Sequence, residues 1–339
     1  MKKYSPSLTI AIPSYDRYQD LDYAIQSIYN SNLPPSEILV VDDNSPNQNE
    51  IINILKKWQL IFDKKNIKFR YVISETNEGY DVNLHKLLKN SKSDYVMFLG
   101  NDDIILPNGV EDSMSFIKIY KFYAYSRTFV KFNNSKQITG ISRFSNIDRS
   151  FSRINSSLNY YFRLSCFFSG LIFDREWALS KHTDNYNGTL YYQLFLFGCA
   201  YFESGIGYIS NPIVGGRTDG IPLFGNSSSE SNNHIPGSYS AKSRAIMWAN
   251  ILKIALDLDD KYKTQSYQFI HYEIKTRMSF HIFEMYSYKS IGELFQLRDE
   301  YIKLKIFNHP IPITFFLIVL ILRKKSIYFF KSLRYLVQR

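Results

Sequence analysis

Two pairs of adjacent aspartates follow apolar segments in the first third of the chain. Asp102 and Asp103 end the run DYVMFLGNDD, and Asp42 and Asp43 directly follow EILVV. Carboxylates at such spacing can bind a divalent cation, which neutralises a diphosphate leaving group, or they can share a proton as an acid–base pair. Because neighbouring residues of a strand point to opposite faces, we favour a metal on one carboxylate and a ligand hydroxyl on the other. Asp43 is then suited to accept hydrogen bonds from a nucleobase or a ribose.

The segments that carry these carboxylates alternate between two periodicities. LTIAIPSY, EILVV, IKFRYVI and DYVMFLG are short apolar runs typical of strands, and apolar stripes at helical spacing lie between them. This alternation predicts an α/β domain with a mostly parallel sheet, in which ligands bind at the carboxyl ends of the strands. One polar strand end alone is often a helix cap, but four successive ones indicate a site. The four ends carry Pro13, Ser14, Tyr15 and Arg17, then Asp42 and Asp43, then Asn77 and Gly79, and finally Asn101, Asp102 and Asp103.

Four motifs carry a resemblance to a known family. TIAIPSYDR, ILVVDDNS, NEGYDVN and YVMFLGNDD, in this order and spacing, resemble the N-terminal half of the family 2 glycosyltransferases, which have the GT-A fold. The resemblance implies a nucleotide-sugar donor and a Mn²⁺ or Mg²⁺ cofactor, with Asp103 as a metal ligand. Asn101 stands where the family has the first Asp of its metal motif, which leaves a neutral ligand in place of an anion. The residues implied to bind the nucleotide-sugar are Pro13, Ser14, Tyr15, Arg17, Asp43, Asn77, Gly79, Asn83 and Asp102.

A looser resemblance concerns the acceptor. SGLIFDREWA and SNPIVGGRTDG look like the later half of bacterial O-antigen transferases, in particular the abequosyltransferase-like branch, which implies an oligosaccharide acceptor linked to polyprenyl diphosphate. An inverting transferase needs a general base for the acceptor hydroxyl, and the family usually has a carboxylate near the position of Thr189. Asp184 is the nearest replacement and our predicted base, with Asp174, Glu176 and Asp219 as alternatives.

Two more residues have a functional and a plain interpretation. The guanidinium of Arg217 matches the geometry of a diphosphate, and it equally suits a surface salt bridge. His234 is implied as a third metal ligand, because a loop histidine closes over the donor in some relatives. Its plain alternative is a solvated loop residue.

Composition divides the chain into regions. We expect a catalytic domain over residues 1–220, with a nucleotide-sugar half to about 110 and an acceptor half over about 111–220. The Gly-, Ser- and Asn-rich segment 221–238 is predicted to be a flexible loop. Helix-forming residues dominate 239–310, and a basic amphipathic tail follows over 311–339.

The tail carries most of the net charge of +10, because residues 301–339 contain eight Lys or Arg and no Asp or Glu. Its uninterrupted apolar run, Phe315–Leu322, is much shorter than the roughly 20 residues that span a bilayer. Phe329, Leu333 and Leu336 recur at helical spacing, and Lys331, Arg334 and Gln338 share another face. We therefore predict that the tail binds an anionic membrane surface, against the alternative of a terminal helix packed on its own domain.

Cellular location follows from the cysteines and the N-terminus. Cys166 and Cys199 lie in apolar surroundings without a paired spacing, which indicates buried thiols in a reducing compartment. The N-terminal segment has no apolar run of signal-peptide length. We expect a cytoplasmic protein that is peripheral on the inner face of the cytoplasmic membrane.

Three other functions remain open. A nucleotidyltransferase binds nucleotides at the same edge of its sheet, but the first loop here, IPSYDRYQD, lacks glycine. A non-catalytic membrane-bound partner subunit would keep the nucleotide-binding fold, and the missing carboxylate near Thr189 favours it. A nucleic-acid binder fits the basic tail alone, since the sequence has no RNP-like aromatic motif or zinc-ligand spacing, and we predict no nucleic-acid partner.

Overall fold

A computed structural model describes residues 6–337, with side chains up to position 333. The chain divides into two compact units, of which the first ends at Asn232 and the second begins at Asn233. This division lies inside the segment 221–238 that was predicted to be a loop, and the segment contains no helix and no named strand. Among the residues of the described range, no helix combines the length and the apolar character needed to cross a membrane.

The first part of unit 1 alternates strands and helices as the periodicity predicts. Strands β1, β2, β3 and β4 pair in parallel in the order β3–β2–β1–β4, so their carboxyl ends lie at one edge of the sheet. The helices pack because their apolar residues lie on one face, as with the buried Leu21, Ala24, Ile25 and Ile28. The elements are β1 (Leu8–Ser14), α1 (Tyr18–Tyr29), β2 (Glu37–Asp42), α2 (Gln48–Asp63), β3 (Lys68–Ile73), α3 (Tyr80–Asn90) and β4 (Tyr95–Phe98).

The second part of unit 1 extends the same sheet to ten strands. Strand β9 lies antiparallel between β4 and β6 and so joins the two parts, while β6 and β10 pair in parallel. The elements are β5 (Ile104–Ile105), α4 (Gly109–Ile119), β6 (Ala124–Phe132), β7 (Ile138–Ser142), β8 (Arg149–Phe151), α5 (Tyr160–Ser165), β9 (Ile172–Asp174), α6 (Arg175–Ser180), α7 (Tyr192–Glu203) and β10 (Ile206–Arg217).

Unit 2 is helical, which confirms the predicted helical C-terminal region. In its core the indole Nε1 of Trp248 donates to the hydroxyl of the buried Tyr301 at 3.0 Å. Its helices are α8 (Ala241–Tyr262), α9 (Ser266–Lys275), α10 (Ser279–Tyr286), α11 (Ile291–Lys303), α12 (Pro310–Leu322) and α13 (Ser326–Val337), with a short 3₁₀ turn (Arg323–Lys325) between the last two.

The two cysteines differ in exposure. Cys199 is buried inside α7, as expected. Cys166 is exposed, so the expectation of a buried thiol is wrong there. It follows the last residue of α5, where its thiol donates to the carbonyl of Phe162 at 3.0 Å.

A buried carboxylate fixes the amino ends of the strands. Glu37 accepts hydrogen bonds from the Thr9 hydroxyl, the Arg70 guanidinium and the Lys92 backbone N–H, each at 2.8 Å. These bonds connect β1, β2, β3 and the segment before β4. Burial alone would raise the pKa of Glu37, but the hydrogen bonds from Arg70 and Thr9 outweigh it and lower that pKa. The alignment of the strand ends at the opposite edge therefore depends on this carboxylate.

Replacing Glu37 by Ala is expected to lower the free energy of unfolding by about 2–3 kcal/mol, because it leaves buried donors without their charged acceptor. Because the pKa of Glu37 is lowered in the folded state, its stabilising effect is present above the unfolded-state pKa and is lost as the pH falls. Urea unfolding at neutral and acidic pH measures both effects. The exposed Glu75→Ala is the control, and an equal loss in the two variants would contradict the prediction.

Candidate functional site

The ends of β1 and β2 meet as predicted. The Ser14 hydroxyl donates to Asp42 at 3.0 Å, and the backbone N–H of Asp43 donates to the carbonyl of Ser14 at 2.8 Å. The carboxylate of Asp43 then accepts the backbone N–H of Gly79 at 2.7 Å, and the amide of Asn83 donates to the carbonyl of Val41 at 3.0 Å. The turn after β3 is thereby held against the end of β2.

Tyr15, which follows β1, and Asn77, which follows β3, are both predicted to bind the nucleotide-sugar, and their side chains are in contact. The hydroxyl of Tyr15 is hydrogen-bonded to the side chain of Asn77, while burial raises the pKa of Tyr15. Burial also raises the pKa of Asp43 to about 6, against the opposing effect of the N–H groups of Glu78 and Gly79. Pro13, beside them in β1, pairs with Val41. The predicted nucleotide residues of the first three strand ends thus lie close together.

The end of β4 brings the second aspartate pair to the same edge. Asp102 forms an ion pair with Arg17, whose backbone has a φ of 57° and starts α1. Asp103 is buried and accepts the backbone N–H of Arg217 at 2.8 Å and the hydroxyl of Ser169. Burial and the neighbouring charge of Asp102 raise the pKa of Asp103 to about 7. Asp103 therefore lies deeper than Asp102, on the inner side of the edge.

Asp102 and Asp103 fit a hard divalent cation. They supply adjacent carboxylate oxygens, and burial raises the pKa of both, so a cation bound between them would stabilise their ionised forms. The donors to Asp103 are a neutral hydroxyl and an amide, which leave each oxygen a second lone pair. Across residues 6–337, no three His, Cys, Asp or Glu side chains are grouped in an arrangement that could hold a metal ion.

Arg217 lies beside the same pair. Its guanidinium forms salt bridges with Asp20 at 2.5 Å and Asp219 at 3.3 Å. The salt-bridge role that the sequence offered as the alternative to a diphosphate contact is therefore present. A cavity of about 350 Å³ opens next to it and next to Arg17. Two guanidinium groups therefore face this cavity, each paired with a carboxylate that a bound anion could replace. The cavity is lined by residues 16–20, Arg217, Ile221 and Leu223.

The sequence did not single out two buried carboxylates at the first turn of α3. Glu230 accepts the backbone N–H groups of Tyr80 at 2.8 Å and Gly225 at 2.9 Å. Asp81 accepts those of Leu190 at 2.8 Å and Tyr192 at 3.0 Å. Asp81 thus caps α7, whose own N-cap residue makes no side-chain bond. Asp81 lies within the motif NEGYDVN, but its partners are more than 100 residues away, so no local pattern identifies them.

The predicted base candidates have different surroundings. The Asp184 side chain is 78% exposed and lies 3.8 Å from the Nε2 atom of His182. Asp174 caps α6 by accepting the N–H of Trp177 at 2.9 Å, Asp219 pairs with Arg217, and Glu176 is exposed on α6. The sequence has no carboxylate near Thr189, where the family usually has one. In the structure the carboxylate of Asp81 lies there and accepts the backbone N–H of Leu190 at 2.8 Å.

His234 belongs to unit 2. Its Nδ1 atom lies 2.8 Å from the hydroxyl of Ser243 on α8, and the residue is only 4% exposed. The alternative of a solvated loop histidine is therefore wrong, because the side chain is buried. Its role as a metal ligand stays a prediction.

The folded protein should become less stable as the pH rises from about 4 to about 7, in part because burial raises the pKa of Asp81 to about 7. A raised pKa means that the native state binds more protons than the unfolded state in this range, at up to about 1.4 kcal/mol per pH unit for one group. Asp81→Asn is expected to reduce this slope in urea unfolding between pH 4.5 and pH 8.

Asp63→Asn on the exposed end of α2 is the control for Asp81→Asn. Burial raises the pKa of Asp43 and of Asp103 as well, so these two groups also make the free energy of unfolding fall as the pH rises. Their contribution is the same in both variants. An Asp81→Asn slope equal to that of the control would contradict the prediction.

Comparison with known proteins supplies the family. The model of glycosyl transferase family 2 matches residues 9–178, which is half of the chain. The poly(ribitol-phosphate) β-N-acetylglucosaminyltransferase TarP of Staphylococcus aureus is 28% identical over 35% of this chain and 34% of its own length. The GalNAc(5)-diNAcBac-PP-undecaprenol β-1,3-glucosyltransferase of Campylobacter jejuni is 29% identical over 32% of this chain and 34% of its own length.

A solved structure supports the same conclusion for the fold. S. aureus TarS 1–349 in complex with UDP-GlcNAc superimposes with a TM-score of 0.62 at 16% identity, over 87% of this chain and 79% of that one. The match spans only about a third of the length of the two sequence relatives. The chain has an α/β sheet of the GT-A type, and the family model matches half of its length. This chain therefore belongs to glycosyl transferase family 2.

Proposed function

We propose that the protein transfers a sugar from a nucleotide-sugar donor to a glycan acceptor in the synthesis of a cell-surface polysaccharide. The observation that carries this proposal is the meeting of four polar strand ends at one edge of the sheet, around Asp43, Asp102 and Asp103. Membership of a glycosyltransferase family supports it, as do the two relatives, whose names give a poly(ribitol-phosphate) and an undecaprenol-linked glycan as their substrates.

The donor is proposed to lie along this edge. Asp43, with Pro13, Ser14 and Tyr15, would hold the nucleoside. Asn77, Gly79 and Asn83 shape the neighbouring turn, and Asp102 would contact the ribose or the sugar. Arg17 and Arg217 border the cavity and are suited to the diphosphate, because a planar guanidinium can donate two parallel hydrogen bonds to phosphate oxygens.

A Mn²⁺ or Mg²⁺ ion is part of the proposal. Asp103 would be its main ligand, with His234 as the predicted additional one. When bound, the cation stabilises the negative charge that develops on the diphosphate leaving group. The Arg217 N–H and the Ser169 hydroxyl orient the carboxylate of Asp103 for this task.

The acceptor is proposed to be an oligosaccharide linked to polyprenyl diphosphate, as in O-antigen synthesis. The C. jejuni relative, named for an undecaprenol-linked substrate, supports this class. Asp184 is the proposed general base. It would take the proton of the acceptor hydroxyl while that oxygen bonds to the anomeric carbon and the nucleoside diphosphate departs, with inversion of configuration. Such an acceptor would keep the enzyme at the inner face of the cytoplasmic membrane.

A second candidate is a non-catalytic partner subunit that keeps the nucleotide-binding fold. The exposure of Asp184 and the lack of a carboxylate among residues 189–193 favour it. Turnover decides between the two candidates, because a partner subunit would bind a nucleotide without consuming a donor.

Donor binding can be tested by thermal unfolding with UDP, GDP, CDP or CMP, each with and without Mn²⁺. A ligand at a hundred times its dissociation constant stabilises by about 2.7 kcal/mol, which is several degrees for a protein of this size. We expect one nucleotide to raise Tm in the presence of Mn²⁺, and Asp103→Ala to remove that rise. A rise in Asp103→Ala equal to that of the Asp63→Ala control would contradict the metal assignment.

The base can be tested by nucleoside diphosphate release with lipid-linked acceptors from bacterial membranes. Asp184→Asn is expected to lower kcat by about 10²–10⁴-fold, since general-base catalysis contributes this much, while the nucleotide-induced rise in Tm stays unchanged. Asp174→Asn, Glu176→Gln and Asp219→Asn are the comparisons. Full turnover in Asp184→Asn would exclude it as the base, and no turnover in the unaltered protein would favour the partner subunit.

A further inference from the structure

We propose that one face of α12, together with the basic residues that follow it, binds the surface of an anionic lipid bilayer with the helix lying in the plane of the interface. This inference concerns unit 2 alone and does not require that unit 1 transfers a sugar. It assigns the membrane contact, which the sequence predicts for the tail of residues 311–339, to named residues within that tail.

The apolar part of the surface is a stripe along α12. Ile313, Leu317 and Ile321 are spaced four residues apart and therefore lie on one side of the helix, with 40%, 46% and 75% of their surface exposed. Pro312, Phe316 and Val319 are buried on the other side. In the sequence PIPITFFLIVLIL, Thr314 is the only polar residue. A helix with such a composition and an uncovered side needs an apolar environment.

Positive charge lies directly beside the stripe. After α12 ends at Leu322, the left-handed backbone of Arg323, with a φ of 49°, redirects the chain. Lys324 and Lys325 follow and are exposed, as is Lys331 on α13. Residues 301–339 contain no Asp or Glu that would oppose these charges. The surface therefore combines apolar side chains with positively charged ones.

An anionic bilayer is the partner that fits both features. The isoleucines and the leucine can enter the acyl boundary while the lysines contact headgroup phosphates. Tyr328, which is 70% exposed, has the amphipathic ring that is enriched at membrane interfaces. α12 has 13 residues and is about 20 Å long at about 1.5 Å per residue, short of the hydrocarbon thickness of about 30 Å. An orientation in the plane of the interface follows from this length.

The contact lies within the predicted tail, but on an earlier helix than the apolar face named from the sequence. The spacing of Phe329, Leu333 and Leu336 predicted the apolar face on the last segment, but side chains from position 334 on lie outside the described residues. Within the described part of α13, Phe330 is buried and Phe329 is exposed. The continuous exposed stripe is on α12, one helix earlier.

The test is co-sedimentation of the full chain with vesicles of phosphatidylcholine alone or with 30% phosphatidylglycerol. The protein should bind the anionic vesicles and not the neutral ones. Leu317→Glu with Ile321→Glu should weaken this binding at least tenfold, and Lys324→Glu with Lys325→Glu should abolish its sensitivity to salt together with most of the binding. Circular dichroism and Tm check that both variants fold, since all four positions are at the surface.

Control variants introduce Glu elsewhere on unit 2, at one exposed leucine and at two exposed lysines. Leu256→Glu alters a leucine that is 52% exposed on α8, and Lys242→Glu with Lys263→Glu reverses two other exposed lysines. Both controls should bind as the unaltered protein does. Absence of binding to anionic vesicles, or equal binding by the stripe variant and its control, would overturn the proposal.

A second copy of the chain is the competing occupant of the stripe. If light scattering shows an oligomer that Leu317→Glu with Ile321→Glu dissociates, and vesicle binding is unchanged in that variant, the proposal is wrong. The rise in Tm with nucleotide should persist in all these variants. If no nucleotide raises the Tm of the unaltered protein while vesicle binding is present, the result would count against the proposed function and not against the lipid surface.

Discussion

The backbone N–H groups around the first turn of α3 are the feature on which the candidate site depends. Asp43 at the end of β2 accepts the N–H of Gly79, and Glu230 accepts the next one, of Tyr80. A helix amino end favours negative charge, so these N–H groups offset part of the cost of burying the two carboxylates. Asp81, in the same turn, reaches in the other direction and caps α7. One turn therefore connects the end of β2 to the start of α7.

This arrangement requires a glycine at position 79. Its φ is 96°, and a Cβ atom there would lie 2.6 Å from the hydroxyl oxygen of Ser227. The segment that carries Ser227 and Glu230 is thus packed directly on the turn, while Arg17 bonds the carbonyl of Ile221 near the start of the same segment. Both attachments involve residues proposed to bind the donor, so donor binding there would be expected to affect the position of this segment.

The sequence predicted what is local and missed what is distant. The strands, the amphipathic helices and the polar strand ends follow from periodicity, and so the edge around Asp43, Asp102 and Asp103 was predictable. The bonds from Glu230 to Tyr80 and from Asp81 to Leu190 join residues 150 and 109 positions apart, and no pattern in either segment signals them. The enclosure of His234 was missed for the same reason, since a Gly- and Ser-rich composition indicates irregular backbone but not burial.

The charges at the edge suggest why a nucleotide and a cation would bind together. Arg17 is paired with Asp102 and Arg217 with Asp20, so each guanidinium is neutralised within the protein. A diphosphate in the cavity would compete for these guanidinium groups and would leave Asp102 without its partner, next to the already buried Asp103. Two uncompensated carboxylates at this distance are costly, and a divalent cation restores the balance. If the proposed donor and cation bind here, the ion pair of Arg17 with Asp102 would make the affinity for the anion depend on the cation, and by reciprocity the affinity for the cation would depend on the anion.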